Sequence, residues 1–265
     1  ASTPYPNTRF LTTQPAMPAI LLSTLNARYF HSSFGLRYLL ANMGALQAGT
    51  AIQEFIIAQR PLDIAEALLA EQPRIVGFGV YLWNVAETAQ VVALLKKVRP
   101  ELIIVLGGPE VSHEWQEQPI VALADYLITG QADLAFVQLC QRLLNDDPPA
   151  DKIITAELPP LDQLALPYRF YSDEDIAHRL IYVEASRGCP FRCEFCLSAL
   201  DQTAWPFPLD PFLAELETLY KRGVRHFKFV DRTFNLNAKV GARVLDFFLE
   251  RLDERLFLHF ELIPD

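Results

Sequence analysis

Short apolar runs alternate with helix-like patterns along most of this chain, and that alternation restricts the fold more than any other feature. "AILLSTLN" (19–26), "TAIQEFII" (50–57), "RIVGFGVYL" (74–82), "LIIVLGG" (102–108) and the end of "IVALADYLITG" (120–130) read as strands. Between them "GLRYLLANMGALQ" (35–47), "PLDIAEALLAEQ" (61–72), "VAETAQVVALLKKV" (85–98) and "ADLAFVQLCQRLL" (132–144) read as helices. Near-continuous apolar strands joined by helices describe a parallel sheet covered on both faces. Pro61 opens its helix, where a missing N–H costs little. Five strands with their helices fit a flavodoxin-like α/β layer over residues 19–146.

The character changes at Asn145. Residues 147–179 are rich in Pro and Asp and read as a linker carrying a short "KIITAE" strand. A second unit, 180–265, opens with a strand in "LIYVEAS" (180–186). It continues with a helix (211–223), a strand in "HFKFV" (226–230), a helix (238–252) and a strand in "LFLHFEL" (256–262). Two βα units and a third strand cannot close a barrel, so the chain is expected to be a fragment of a longer protein. Residues 1–18 are polar and proline-rich and read as a loosely ordered lead-in, without the charged-then-apolar layout of a signal peptide.

Composition narrows the partners. With 265 residues, 51% of them hydrophobic, the chain can bury a sizeable core. No apolar run reaches the roughly 18 residues of a transmembrane helix, so no membrane association is expected. A formal charge of −9 argues against nonspecific nucleic-acid binding. Four cysteines, three of them crowded together, do not resemble a secreted disulfide framework, and a reducing cytoplasm is expected.

Those three lie in "SRGCPFRCEFCLSALD" (186–201) as Cys189, Cys193 and Cys196. A disulfide would leave one thiol unpaired. A structural zinc site takes four ligands; Cys140 sits on the apolar face of a helix and is most simply a core residue, and nothing in the spacing requires His178. Three thiolates suit a [4Fe–4S] cluster with one iron left open. Arg187 and Arg192 add positive charge that favours thiolates.

Cys-x₃-Cys-x₂-Cys just after a strand, with aromatic Phe195 before the last cysteine, resembles the radical S-adenosylmethionine (SAM) superfamily. The resemblance implies a full or partial (β/α) TIM barrel, with SAM chelated by the open iron. Phe195 would lie near the adenine. One-electron cleavage would give methionine and a deoxyadenosyl radical, with a one-electron reductant of the flavodoxin or ferredoxin type as partner. Strand parity places Phe227 and Phe229 on one face and Lys228 on the other. It likewise sets Leu258, Phe260 and Leu262 against His259 and Glu261, and groups Glu184 with Tyr182 and Ser186. Glu184, Lys228, His259 and Glu261 would face a barrel interior, as a structural Lys–Glu pair or toward substrate. Asp231 falls at a strand's carboxyl end, as a site residue or a turn cap. Asp231 and Glu261 join Phe195 as candidate SAM contacts; no catalytic residue is assigned.

Ligands of open α/β sheets sit beyond the strands' carboxyl ends, at the switch point of strand order. "FGLRYLLANM", "GFGVYLWN", "VLGGPEVSHE" and "DYLITGQAD" resemble recurring segments of a cobalamin-binding domain placed ahead of a radical SAM domain. The likeness runs from about Ala19 to Asp265, especially to a branch with "SRGCPFRCEFC" followed by "FKFVDRTFN". It implies a flavodoxin-like (Rossmann-type) cobalamin-binding domain followed by the first part of a radical SAM barrel. Candidate cobalamin contacts are Asn26, His31, Ser32, Ser33, Gly79, Tyr81, Trp83, Asn84, Gly107, Gly108, Pro109, Glu110 and Gly130. Many such domains carry Asp-x-His-x-x-Gly, whose His binds cobalt. Asn26, His31 and Gly35 have other gaps, so a loop or capping role for His31 stays open. "GQAD" (130–133) also departs from the more acidic Gly-Glu-Gly-Glu. The implied reaction is methyl transfer from SAM, relayed by cobalamin, to an unknown substrate. A radical rearrangement and a non-catalytic cobalamin or redox sensor with a structural cluster are the rival readings.

Overall fold

A computed structural model describes residues 17–200 and 203–263, without the side chains of Ala199 and Leu200. Residues 1–16 of the expected lead-in lie outside the described residues. The chain divides into two units, Ala1–Pro159 and Pro160–Asp265.

The first unit is built on six parallel strands. They are β1 (Ile20–Asn26), β2 (Thr50–Ile56), β3 (Ile75–Gly79), β4 (Ile103–Gly107), β5 (Tyr126–Thr129) and β6 (Ile153–Thr155). Their order is β2-β1-β3-β4-β5-β6, the expected flavodoxin-like order with one strand added. All seven residues of β1 are buried, as befits a strand with a neighbour on each side and helices on both faces. The connecting helices are α1 (Phe34–Ala41), α2 (Pro61–Ala70), α3 (Val85–Val98), α4 (Pro109–Ser112), α5 (Pro119–Leu123) and α6 (Ala135–Leu144). Leu21, Val76, Ile104 and Leu127 from the strands meet Ile64, Leu68, Val91 and Leu95 from the helices in one apolar core.

Two expectations change here. The helix expected over 35–47 ends at Ala41. Asn42 turns its side-chain amide back onto the Tyr38 carbonyl, at 2.9 Å. Gly44, at φ +54°, then breaks the helical path, and a 3₁₀ turn over Gly44–Gly49 follows. "KIITAE", expected in a linker, is strand β6 of the sheet itself, paired with β5 through Leu127↔Ile153, Ile128↔Ile154 and Thr129↔Thr155. Two half-buried residues and an exposed one on a sheet edge carry too little apolar pattern to declare this from sequence.

The second unit holds α7 (Asp173–His178), β7 (Ile181–Val183), β8 (Ser186–Gly188), β9 (Ala204–Pro206), α8 (Leu209–Lys221), β10 (His226–Phe229), α9 (Ala238–Leu249) and β11 (Phe257–His259). Strands β11-β10-β7 form a parallel sheet, and β8 and β9 an antiparallel pair. Parity holds on β10: Phe227 and Phe229 are fully buried, against Phe248 of α9 and Phe212 of α8.

Residues 160–179 belong to this unit. Tyr168 and Tyr171 are each 1% exposed. The Tyr168 hydroxyl donates to the Glu184 carbonyl and accepts from the Glu184 amide, both at 3.2 Å. The Tyr171 hydroxyl does the same at Tyr182, at 2.8 and 3.1 Å. Two phenols thus occupy the edge of β7 that lacks a strand partner. A capping box at Ser172 and Asp175 starts α7 just beyond them. The strand expected over 180–186 is split into β7 and β8 with a bend between them.

Candidate functional sites

In the first unit most of the predicted cobalamin residues lie at or just beyond the carboxyl ends of β1 and β3. Asn84, at the amino end of α3, is completely buried. Its Nδ2 donates to Thr24 Oγ1 (3.1 Å), the Leu25 carbonyl (3.0 Å) and the Gly79 carbonyl (3.3 Å). Its Oδ1 accepts from the Tyr81 amide at 2.8 Å. Thr24 Oγ1 itself donates to the Gly79 carbonyl at 2.7 Å. Asn84 therefore staples β1 to the turn after β3, and its polar atoms are engaged with the protein.

The same turn raises Tyr81 and Trp83 toward the surface, their rings stacked at 4.5 Å with 10° between planes. Burial pushes the Tyr81 phenol above its ordinary pKa, while a hydrogen bond with Ser33 opposes the shift. Leu82 and Trp83 are exposed, as is Phe30 on the β1–α1 loop, so the strand ends carry an apolar lip. The Phe30 ring leans on His31 at 4.2 Å.

Beneath the β1–α1 loop lies a cluster the sequence reading passed over. Glu54 of β2 and Arg37 of α1 form an ion pair at 3.0 Å with side chains 1% and 0% exposed. Glu54 Oε1 also accepts from Asn26 Nδ2, at 3.0 Å, and from the Ser33 amide. Asn26 Nδ2 reaches the His31 carbonyl at 3.1 Å, and Arg37 Nη1 the Ser33 carbonyl at 2.8 Å. The signal was a lone charge in each of two apolar segments, "FGLRYLLA" and "TAIQEFI". Ser33 further caps α1, its hydroxyl accepting from the Leu36 amide at 3.4 Å.

The glycines at β4 and β5 are explained by the protein's own backbone. Gly108 has φ +112°, and a Cβ there would lie 2.4 Å from the Val80 carbonyl oxygen. Val80 is in turn bonded through its amide to the Gly107 carbonyl at 2.8 Å. Gly130 has φ +80°, and its amide donates to Ser112 Oγ at 3.1 Å. Pro109 is exposed at the start of α4, and Glu110 accepts from Gln118 Nε2 at 3.0 Å.

In the second unit the cysteine loop leaves β8 at Gly188. Cys189 is buried at the root, and Cys193 and Cys196 are exposed, in a turn where the Cys196 amide donates to the Cys193 carbonyl at 3.0 Å. Phe195 is 94% exposed at the tip. Among the described residues, no three His, Cys, Asp or Glu side chains are brought together as a metal-holding group. The three cysteines lie in one loop, none of them in a disulfide, and this donor set suits an iron–sulfur cluster. Cys140 stands apart in the core of the first unit, its thiol pushed up to about 12 by burial. His178 is exposed, 3.7 Å from Glu174.

Asp231 is 1% exposed and accepts from the Ala185 amide (3.1 and 3.0 Å) and from Ser186 Oγ (2.7 Å). It ties the end of β10 to the bend between β7 and β8. Burial raises its carboxyl above the ordinary range, against these hydrogen bonds. Glu184 pairs with Arg187 at 2.8 Å rather than with Lys228, whose ammonium lies 5.7 Å from the Tyr182 ring centre. Glu261 lies 3.6 Å from Arg232, and His259 is exposed.

Residues 21–140 match the family described as the B12 binding domain. The first unit is a B12-binding domain on a Rossmann-like sheet. The chain is also a distant relative of cobalamin-dependent radical SAM methyltransferases. It is 26% identical over 221 residues to the uncharacterized methyltransferase PH0819 of Pyrococcus horikoshii, covering 73% of this chain and 46% of that protein. It is 24% identical over 230 residues to the cobalamin-dependent radical SAM methyltransferase TokK of Streptomyces tokunonensis, covering 72% and 32%. The chain thus spans less than half the length of these curated relatives. In fold it resembles the radical SAM methyltransferase TsrM of Kitasatospora setae, solved with cobalamin and a [4Fe–4S] cluster. The TM-score is 0.64 at 18% identity, over 91% of this chain and 54% of that one. Among the described residues no helix is long and apolar enough to cross a membrane.

Proposed function

We propose that this chain is the cobalamin- and cluster-binding part of a radical SAM methyltransferase of the reducing cytoplasm. The observation that carries the reading is the pairing of two features in one chain: a B12-binding domain and, after it, a Cys-x₃-Cys-x₂-Cys loop leaving a parallel βα unit. Cys189, Cys193 and Cys196 would hold a [4Fe–4S] cluster, and Phe195 would stand beside the adenine of SAM. The apolar lip of Phe30, Leu82 and Trp83 would shield a corrin at the strand ends. When bound, these cofactors supply one-electron cleavage of SAM and relay of its methyl group to an unactivated carbon or phosphorus. The protein's own part is to fix the strand ends through Asn84 and the Gly107–Gly108 turn, and to keep the thiol loop rooted at Cys189. A flavodoxin- or ferredoxin-type protein would deliver the electron.

The test is anaerobic reconstitution with iron, sulfide and hydroxocobalamin, followed by SAM and a reductant. About four irons and four sulfides per chain, corrin absorbance that survives gel filtration, and deoxyadenosine or a methylated product are expected. Failure to retain corrin or iron overturns the proposal.

A further inference from the structure

The structure assigns to the buried Arg37–Glu54 ion pair the role of holding the β1–α1 loop in the shape that receives cobalamin; this rests on the cobalamin reading above. A charged pair taken fully out of water is hard to explain as a source of stability, because well-packed apolar side chains of similar volume serve a core as well or better. This pair does something apolar side chains cannot. Each charge spends further hydrogen bonds on the loop's backbone or on the residue that carries it. Glu54 Oε1 takes the Ser33 amide and Asn26 Nδ2, and Arg37 Nη1 gives a hydrogen bond to the Ser33 carbonyl. Ser33 is therefore gripped at both its N–H and its C=O. Asn26 relays the grip to the His31 carbonyl. One buried pair thus holds the end of the β1–α1 loop over residues 31–33. Arg37 and Glu54 are positioning residues, since both are sealed from any ligand.

The test is the double substitution Arg37→Met with Glu54→Leu, which removes both charges together and keeps the volume. The fold is expected to survive, with unchanged circular dichroism and little change in melting temperature. Hydroxocobalamin affinity is expected to fall at least tenfold, and the Ser33 amide to lose its protection in hydrogen exchange. Affinity within twofold of the native protein, with the fold intact, overturns the inference. Asn26→Ala covers the case in which the double variant does not fold: it cuts the relay to His31 and leaves the ion pair. Faster exchange across residues 31–33 and a three- to tenfold loss of affinity are expected, and unchanged values of both overturn the inference. If the native protein binds no hydroxocobalamin, the functional reading falls. The exchange of the Ser33 amide still decides whether the pair holds the loop.

Discussion

Gly108→Ala is a demanding test of how the strand ends are built. Gly108 has φ +112° and ψ 169°, a region open to glycine almost alone. Forcing alanine into it costs about 1–3 kcal/mol in backbone strain. The added Cβ would also stand 2.4 Å from the Val80 carbonyl oxygen and 2.9 Å from its nitrogen. Both belong to backbone, and the Val80 amide is bonded to the Gly107 carbonyl, so no flexible side chain can swing away. Relief requires the β3 and β4 ends to separate, an overpacking cost of about another 1–3 kcal/mol. The sum is about 4 kcal/mol. With a urea slope of about 2 kcal/mol per molar, the midpoint should fall by about 2 M. The control is Gly107→Ala: its backbone is ordinary strand, and the nearest atom to its Cβ is the Ile128 carbonyl oxygen at 3.6 Å. That change should shift the midpoint by less than about 0.5 M. Urea titrations followed by tryptophan fluorescence, with both variants against the native protein, make the comparison. Equal shifts for the two glycines would refute the reasoning.

Three further outcomes follow from the same geometry. Iodoacetamide at pH 8 should alkylate Cys193 and Cys196 in the cluster-free protein and spare Cys140, whose thiol is pushed up to about 12; peptide mapping showing equal labelling of Cys140 would contradict its burial. Gly188→Ala places a Cβ 1.9 Å from the Thr203 carbonyl at φ +89°, so the β8–β9 pairing at the root of the cysteine loop should open and iron retention on reconstitution should drop severalfold, read by iron analysis. Because burial raises the Asp231 carboxyl above its unfolded value, the folded state binds that proton more tightly, and its contribution to stability is fully present below the unfolded pKa and is lost as pH rises through the folded one. Asp231→Asn should therefore gain on the native protein as pH rises from 3 to 6; urea midpoints whose difference stays flat across that range would disprove the assignment.

The first sheet was legible because parallel strands buried on both faces leave continuous apolar runs. β1, with every residue buried, is the clearest case. Its strand order also followed, since the switch point between β1 and β3 belongs to that layer. β6 was misplaced because two half-buried edge residues and an exposed one leave no such run. The end of α1 was missed because an Asn side chain and a left-handed glycine overrode helical spacing at Asn42 and Gly44. Spacing, place after a strand and the aromatic Phe195 single out the three cysteines in the sequence, while their burial differs sharply along one loop. Among the predicted cobalamin residues, Asn84 engages the Thr24 hydroxyl and the backbone of Leu25, Gly79 and Tyr81, and Gly108 abuts Val80. Arg37 and Glu54 escaped notice because partnership between a helix and a neighbouring strand is a property of the folded sheet, invisible in either segment by itself.

The phenols of Tyr168 and Tyr171 give the second unit's sheet a direction of growth. Their hydroxyls already engage the amide and carbonyl of Tyr182 on β7 and of Glu184 just past it, as a neighbouring strand would. A strand arriving at that margin would have to evict two buried rings. β11, on the other side of β10, carries no such plug among the described residues. Any added strand therefore has one margin to join, past β11, and a protein cut at residue 180 would lose the plug and bare the opposite margin to pairing with a second chain.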